Sequence, residues 1–349
     1  MSGAAVLPAP PPRVLYLGYG ACGRACLDAL LAGGFEVVGV LCRASDRDPD
    51  GDEASSVFAA ARRRGLDCLA ATDPNAPNLV AAARRLAPDL LLSVQYDRIL
   101  KPPLLAVPRH GAYNLHFGPL PRLRGCFPTK WAILDDEPAG VTLHAIDPGI
   151  DSGDVVARTV VPLATGETDE TLYRKLERAA AALFGEQLPW MRELRPPPRR
   201  PQREEAATYH PKRLPFDGVI DWGRDAAWVE RFVRAFTFPP HPAARTWWRG
   251  EEVQIRAPVG VGADLPGRAP GEIEPLGGGG DGGGSENEDA GEGKIAGEGS
   301  GAVAVACGVG SLRVERVLLG GEERPAAVLL RSGGRPAFSS RPPAPEDRP

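Results

Sequence analysis

The chain reads as an α/β protein, a doubly wound and mostly parallel sheet followed by a smaller β-rich, barrel-like domain. Three features carry that expectation. Apolar runs of strand length alternate with helical segments from Arg13 to Val94, joined by short connections, the pattern of a parallel sheet with crossover helices. A literal Gly-x-Gly-x-x-Gly, Gly18–Gly23, stands between the first run and the first helix. With 349 residues, of which 43% are hydrophobic, the chain can bury a substantial core and build two domains.

Residues 1–12 are rich in Pro and Ala and read as a disordered arm. Arg13–Leu17 is the first strand, and a helix runs from the glycine turn to about Ala32. The second strand is Glu36–Cys42, followed by an acidic loop, Arg43–Ser56, and a helix over Val57–Arg64. A strand near Leu66–Ala70, a helix from about Asn78 to Leu86 and a strand at Leu90–Val94 continue the alternation. Strands are expected at Ala112–His116, Val141–Ile146 and Val155–Val161. The next helix opens with Thr168 as N-cap and acids in its first turn, and its stripe of Leu172, Leu176, Ala179, Leu183 and Phe184 reads as core. This helix closes a domain spanning 13–194, and the proline-rich 195–207 is a linker. The second domain, 208–332, begins with a helix over Ala226–Phe236 and continues in short strands. The Gly/Glu/Asp/Ser stretch 277–301 cannot bury a core and reads as a disordered insertion, and 333–349 as a tail.

A net charge of −4 gives no global attraction to nucleic acid or anionic membranes. No apolar run approaches the ~20 residues of a membrane span. The N-terminus lacks the basic segment and apolar core of a secretory signal, and the six cysteines form no CxxC pair. These features point to a cytoplasmic protein with buried thiols and no metal. The glycine turn raises a dinucleotide site, but no acidic residue stands at the end of the second strand, where Cys42 and Arg43 sit. A nicotinamide-dependent oxidoreductase therefore stays as an alternative.

The stretch Gly111–Asp154 carries the chemistry. A period of two puts Asn114 and His116 on one side of a strand that ends in Gly118-Pro119-Leu120-Pro121. Ligands of open α/β sheets lie at such carboxyl ends. The strand Val141–Ile146 leads into a loop holding Asp151. An amide, an imidazole and a carboxylate at strand ends suit acyl transfer. On spacing alone, Asn114 and His116 serve equally as a satisfied polar pair, and Asp151 as the start of an Asx turn. His144 is a second candidate for a histidine role.

The region resembles the N10-formyltetrahydrofolate-dependent formyltransferases, in their amino-sugar and methionyl-tRNA branches. Their pattern runs Asn-x-His-x-Ser-Leu-Leu-Pro, Arg-Gly, Gly-Val-Thr, Asp-x-Gly. Here Asn114, His116, Leu120, Pro121, Arg124, Gly125, Gly140-Val141-Thr142 and Asp151-Ser152-Gly153 stand in that order. The resemblance covers roughly 13–332 and is firmest over 112–153. It implies the formyltransferase fold and transfer of a formyl group from 10-formyltetrahydrofolate to an amine. Asn114 and His116 would then hold the oxyanion, while Asp151 orients His116 and moves the proton. Tyr96, Arg98, Ile99, Leu100, Pro119, Leu120, Ile146, Gly149 and Ile150 would line the folate, and Arg124 and Gly125 the acceptor. Gly118-Pro119 replaces the family's Ser-Leu, so a hydroxyl is missing beside the acceptor.

The loop after the second strand holds Asp46, Asp48, Asp50, Asp52 and Glu53 against Arg43 and Arg47. That balance repels RNA and favours a small amine, an amino sugar carried on a nucleotide. A methionyl-tRNA formyltransferase is the next alternative, and a non-catalytic folate-binding module another. The resemblance also allows a homodimer. Deleting 277–301 and joining its flanks by a short turn is expected to leave folding and turnover nearly unchanged. A large drop in either, read by thermal melting and a rate assay, would place the segment in the core or the site.

Overall fold

Strand β1, Arg13–Gly18, is the axis of the first sheet because Val14, Leu15, Tyr16 and Leu17 are all fully buried, leaving no face for water. The computed structural model describes residues 10–42, 55–69, 73–196, 198–239, 241–276, 301–330 and 336–341. The acidic residues of the 43–56 loop and nearly all of the 277–301 insertion lie outside them, as does most of the N-terminal arm.

The chain packs as two units, one of residues 1–132, 137–163 and 171–213, the other of 133–136, 164–170 and 214–349. In the first, β1 leads into helix α1 (Gly20–Ala32), then β2 (Glu36–Cys42), α2 (Val57–Arg63), α3 (Pro77–Leu86) and β3 (Leu90–Val94). There follow α4 (Pro102–Leu105), β4 (Ala112–His116), the two-residue β5 (Arg124–Gly125) and α5 (Pro128–Asp135). Strands β6 (Ala139–Ala145) and β7 (Val155–Val161), helix α6 (Asp169–Glu193) and β8 (Tyr209–His210) complete the series. The sheet order is β2-β1-β3-β4-β6-β7. Its first four strands are parallel, and β6 and β7 are added antiparallel.

The strand expected near Leu66–Ala70 shortens to a single bridge from Cys68 to Val40. Val40 N–H donates to the Asp67 carbonyl and Leu69 N–H to the Val40 carbonyl, each at 2.8 Å. On one sheet face α3 and α4 bury Leu79, Val80, Ala83 and Leu104 against Leu15, Leu17, Leu41 and Leu91. The stretch 195–207, read from sequence as a linker, and the adjoining Thr208 are tied to this unit. Arg200 exchanges both backbone hydrogen bonds with Val155 at 2.8 and 2.9 Å, and Leu123 N–H donates to Thr208 Oγ1 at 2.8 Å. All six cysteines are free thiols.

The second unit contains α7 (Ala226–Ala235) and strands β9 (Ala244–Trp248), β10 (Glu251–Ile255), β11 (Gly260–Gly262), β12 (Ile273–Pro275) and β13 (Val303–Ala306). Strands β14 (Ser311–Val314), β15 (Arg316–Leu319), β16 (Glu322–Pro325) and β17 (Phe338–Ser339) follow. They form two antiparallel sheets, ordered β16-β15-β10-β9-β17 and β11-β14-β13-β12. Asp225 caps α7 by accepting from Trp228 N–H at 2.6 Å. Trp222 is buried against Phe338, ring centroids 5.4 Å apart, and its Nε1–H donates to Thr246 Oγ1 at 3.0 Å. Among the described residues no helix is long and apolar enough to cross a membrane.

Leu17 is fully buried at the centre of the first sheet. Leu17→Ala should therefore lower stability by about 2–5 kcal/mol, measured by urea denaturation. A loss under about 1 kcal/mol would mean that the site collapses to fill the cavity.

Candidate active site

The site grows from the pairing of β4 with β6. Their register sets Asn114 opposite His144 and His116 opposite Thr142, and cross-strand partners project from the same face. Asn114 Nδ2 accordingly lies 3.2 Å from His144 Nε2. The loop after β6 folds back over this pair. Ser152 Oγ–H is shared between the Asp147 carboxylate oxygens at 2.8 and 3.0 Å, and Gly149 N–H donates to Asp147 Oδ1 at 3.1 Å. Gln202 Nε2 pins the far side by donating to the carbonyls of Asp151 and Gly153, each at 2.7 Å. Asp151 itself sits at φ 52°, a left-handed conformation that a non-glycine residue holds only when its surroundings demand it.

Its carboxylate joins four groups. Gly125 N–H donates to Oδ2 at 2.9 Å, and His116 Nδ1 lies 3.6 Å from the same oxygen. Oδ1 lies 3.4 Å from both Asn114 Nδ2 and His144 Nε2. The side chains of Asp151, His116 and His144 are 14%, 8% and 2% exposed, so the cluster is largely shielded from water. Burial alone would raise the Asp151 pKa. The charge of His116, the hydrogen bond and charge of His144 and the Gly125 N–H outweigh it and hold the carboxyl well below its usual range.

The backbone decides which ring nitrogens carry protons. His144 Nδ1 is 2.8 Å from the Ala145 carbonyl, which only accepts, so Nδ1 bears a proton; Nε2 donates to Asp151 when it carries the second proton and accepts from Asn114 when it does not. The same reasoning puts a proton on His116 Nε2, 2.8 Å from the Leu123 carbonyl. The Asn114 amide is oriented by its neighbours too, because only Nδ2 can face both an accepting nitrogen and a carboxylate.

Two glycines make this geometry possible. A Cβ at Gly118 would lie 2.6 Å from His116 Nε2 and 2.9 Å from the Leu123 carbonyl. The glycine that replaces the family's serine is thus the residue this imidazole placement requires. Gly125 has φ 89° and a Cβ there would come 2.1 Å from the His210 carbonyl. Thr142 secures the turn between them and the strand: its hydroxyl donates to Gly118 O at 2.6 Å and accepts from Leu120 N–H at 3.2 Å.

The residues read from sequence as folate-lining fall in two groups. Tyr96, Leu100 and Ile146 pack on the same apolar cluster, which also holds Ala112 at the start of β4. Asn75 shapes the turn there, donating to Ile99 O at 2.9 Å and accepting from Lys101 N–H at 2.7 Å. The Ile99 and Ile150 side chains are exposed, as is Arg98, while Leu120 is buried and Pro119 half-buried. Gly149 lies in the loop closed by Asp147. Arg124, expected from the resemblance to meet the acceptor, is engaged with neighbouring side chains. Its guanidinium is buried and bonded to Glu204 at 2.8 and 2.9 Å and to Gln202 at 3.0 and 3.1 Å. Sequence reasoning passed over Gln202 and gave Thr142 no role beyond its place in the Gly140-Val141-Thr142 motif, because both roles depend on a fold-back that no local pattern announces. His144 could have been promoted by aligning the two strands in antiparallel register. Among the described residues no group of three or more His, Cys, Asp or Glu could hold a metal.

Residues 12–188 match the family model described as formyl transferase, and residues 215–332 match the formyl transferase C-terminal domain. Among solved structures, the chain is similar to an N-formyltransferase from Helicobacter canadensis in complex with folinic acid and dTDP-3-aminofucose. That match has 17% identity and a TM-score of 0.64, covering 87% of this chain and 98% of the other. It is similar also to a 4-N formyltransferase from Francisella tularensis, at 20% identity and TM-score 0.54 over 67% of this chain and 91% of that one. HypX from Aquifex aeolicus in complex with tetrahydrofolic acid matches at 20% identity and TM-score 0.54, over 91% of this chain and 47% of HypX.

The lowered Asp151 pKa has a consequence for stability. A folded value below the unfolded one, about 3.9, means that ionised Asp151 stabilises fully above about pH 4 and that this contribution is lost as pH falls toward the folded value. Asp151→Asn cannot titrate, so its melting temperature should fall less than the wild type's between about pH 5 and pH 2. Parallel melting curves would contradict the charge arrangement described.

Proposed function

The chain belongs to the formyl transferase family, and from that premise we propose that it transfers the formyl group of 10-formyltetrahydrofolate to the primary amine of an amino-sugar nucleotide. The observation that carries this reading is the meeting of Asn114, His116 and Asp151 at the carboxyl end of β4. The relative from Helicobacter canadensis was solved with a folate and a dTDP-linked amino sugar, which supports the choice of both substrates.

The co-substrate supplies the formyl carbon, and the protein must hold the charge that develops on its oxygen and move one proton. Asn114 Nδ2 is the first donor toward that oxyanion. In the resting arrangement its two hydrogens are directed at His144 Nε2 and Asp151 Oδ1. Asp151, ionised at neutral pH, is the base that takes the proton from the attacking amine, with the C–N bond forming as the carbonyl pair moves to oxygen. A proton passed on to His144 Nε2 turns that atom from acceptor to donor, so Asn114 is released to the oxyanion while His144 holds the carboxylate. Collapse of the oxyanion breaks the bond to the folate nitrogen, and the proton follows to that nitrogen. His116, held by Leu123 and facing Asp151 through Nδ1, orients the carboxylate and adds positive potential at the site. The acidic 43–56 loop supports a small acceptor over tRNA by charge, and a methionyl-tRNA acceptor remains the second arm of the test.

Release of tetrahydrofolate is to be followed with 10-formyltetrahydrofolate and a panel of amines that includes dTDP-amino sugars and charged initiator tRNA. Turnover with an amino-sugar nucleotide is expected. Efficient formylation of the tRNA with every sugar inert would overturn the acceptor, and no transfer to any amine would overturn the activity. Alanine at Asn114, His116 or Asp151 should each lower kcat by about 10²-fold or more with a smaller effect on folate binding. Near-wild-type turnover of Asp151→Ala would remove the proton transfer assigned to it.

A further inference from the structure

A concavity in the first unit is lined by residues other than the imidazoles. A cavity of about 550 Å3 opens between β7, α6 and residues 200–206, within the ~300–1,000 Å3 typical of small-ligand sites. Leu120, Val156 and Leu183 contribute an apolar wall. Its charged lining is Arg158, Arg200 and Arg203 against one carboxylate, Glu186.

The arginines are poorly neutralised. Arg158 Nη1 donates to the Leu120 carbonyl at 2.6 Å, and no carboxylate partners it among the described residues. Arg200 is fixed through its backbone to Val155, which leaves its guanidinium with no ion pair among the described residues. Arg203 lies 3.7 Å from Glu205, but those side chains are 80% and 73% exposed, so water screens the pair. Arg158, Arg200 and Arg203 are exposed, so water screens their mutual repulsion, and the lining of this cavity is left with a net positive charge. Each guanidinium presents a planar fork that matches a phosphate or carboxylate through two hydrogen bonds.

We propose that this cavity binds an oligoanion, a short chain of phosphates or carboxylates whose uncharged portion rests on the apolar wall. Such a ligand would bear on the reacting end of the sheet. Leu120, whose carbonyl Arg158 holds, belongs to the turn after His116. Gln202, also in the lining, holds the Asp151 and Gly153 carbonyls. Two molecules of the proposed reaction carry chains of this kind: the diphosphate of a sugar nucleotide and the γ-linked glutamates of a folate. Naming these sources rests on the formyl-transfer reading, whereas the anion site itself does not.

Calorimetric titration of the full chain with pyrophosphate, thymidine diphosphate and tri-γ-glutamate, at about 0.15 M salt, tests the site. At least one is expected to bind with Kd below about 1 mM. Arg158→Gln/Arg200→Gln should raise that Kd at least about tenfold. Arg203→Gln, at an exposed position that cannot unfold the chain, should raise it about threefold. Tighter binding of the diphosphate assigns the site to the acceptor, and tighter binding of the glutamate chain assigns it to the folate. No binding by any of the three, or unchanged affinity in both variants, overturns the proposal. Anion binding in a protein that formylates no amine would remove the reaction and keep the site; formyl transfer without anion binding would do the reverse.

Discussion

The Asp151 carboxylate, fastened by the Gly125 N–H between two imidazoles, is the contact on which the rest of the site depends. It draws four parts of the chain to one point: β4 through Asn114 and His116, β6 through His144, the loop after β6, and β5. An isolated buried carboxylate would protonate to escape desolvation. Here two imidazoles and a backbone N–H hold it ionised instead. The left-handed backbone of Asp151 follows from the same demand, since the loop must turn inward to deliver the carboxylate while Gln202 holds its carbonyls from behind.

Each imidazole of the cluster has one partner fixed in the backbone and one in a side chain. Carbonyls fix one nitrogen of each imidazole, Ala145 for His144 and Leu123 for His116. The other nitrogen of each faces Asp151. A network in which every group were fixed on both sides would resist a proton passing through it. Gly118 belongs to this design, because the space a side chain would fill there is taken by the His116 ring.

The succession of β1, β2 and β3 with helices between them and the β-rich second unit follow from apolar periodicity and glycine or proline punctuation. Those are local properties, and the sequence alone determines them. Spacing alone leaves Asn114 and His116 as a polar pair and Asp151 as an Asx turn, and it is the resemblance to a family's motif that joins the three. The tertiary structure decided what depends on register and on distant segments. His144 enters the cluster because β6 pairs antiparallel with β4, and one residue of slip would turn it to the opposite face. Arg124, which in sequence looks available to a substrate, is committed to Gln202 and Glu204 nearly eighty residues on. The strand expected near Leu66 is, among the described residues, one bridge from Cys68 to Val40. In each case the deciding energy is a hydrogen bond or a buried charge satisfied across a long loop, which no window of neighbouring residues contains.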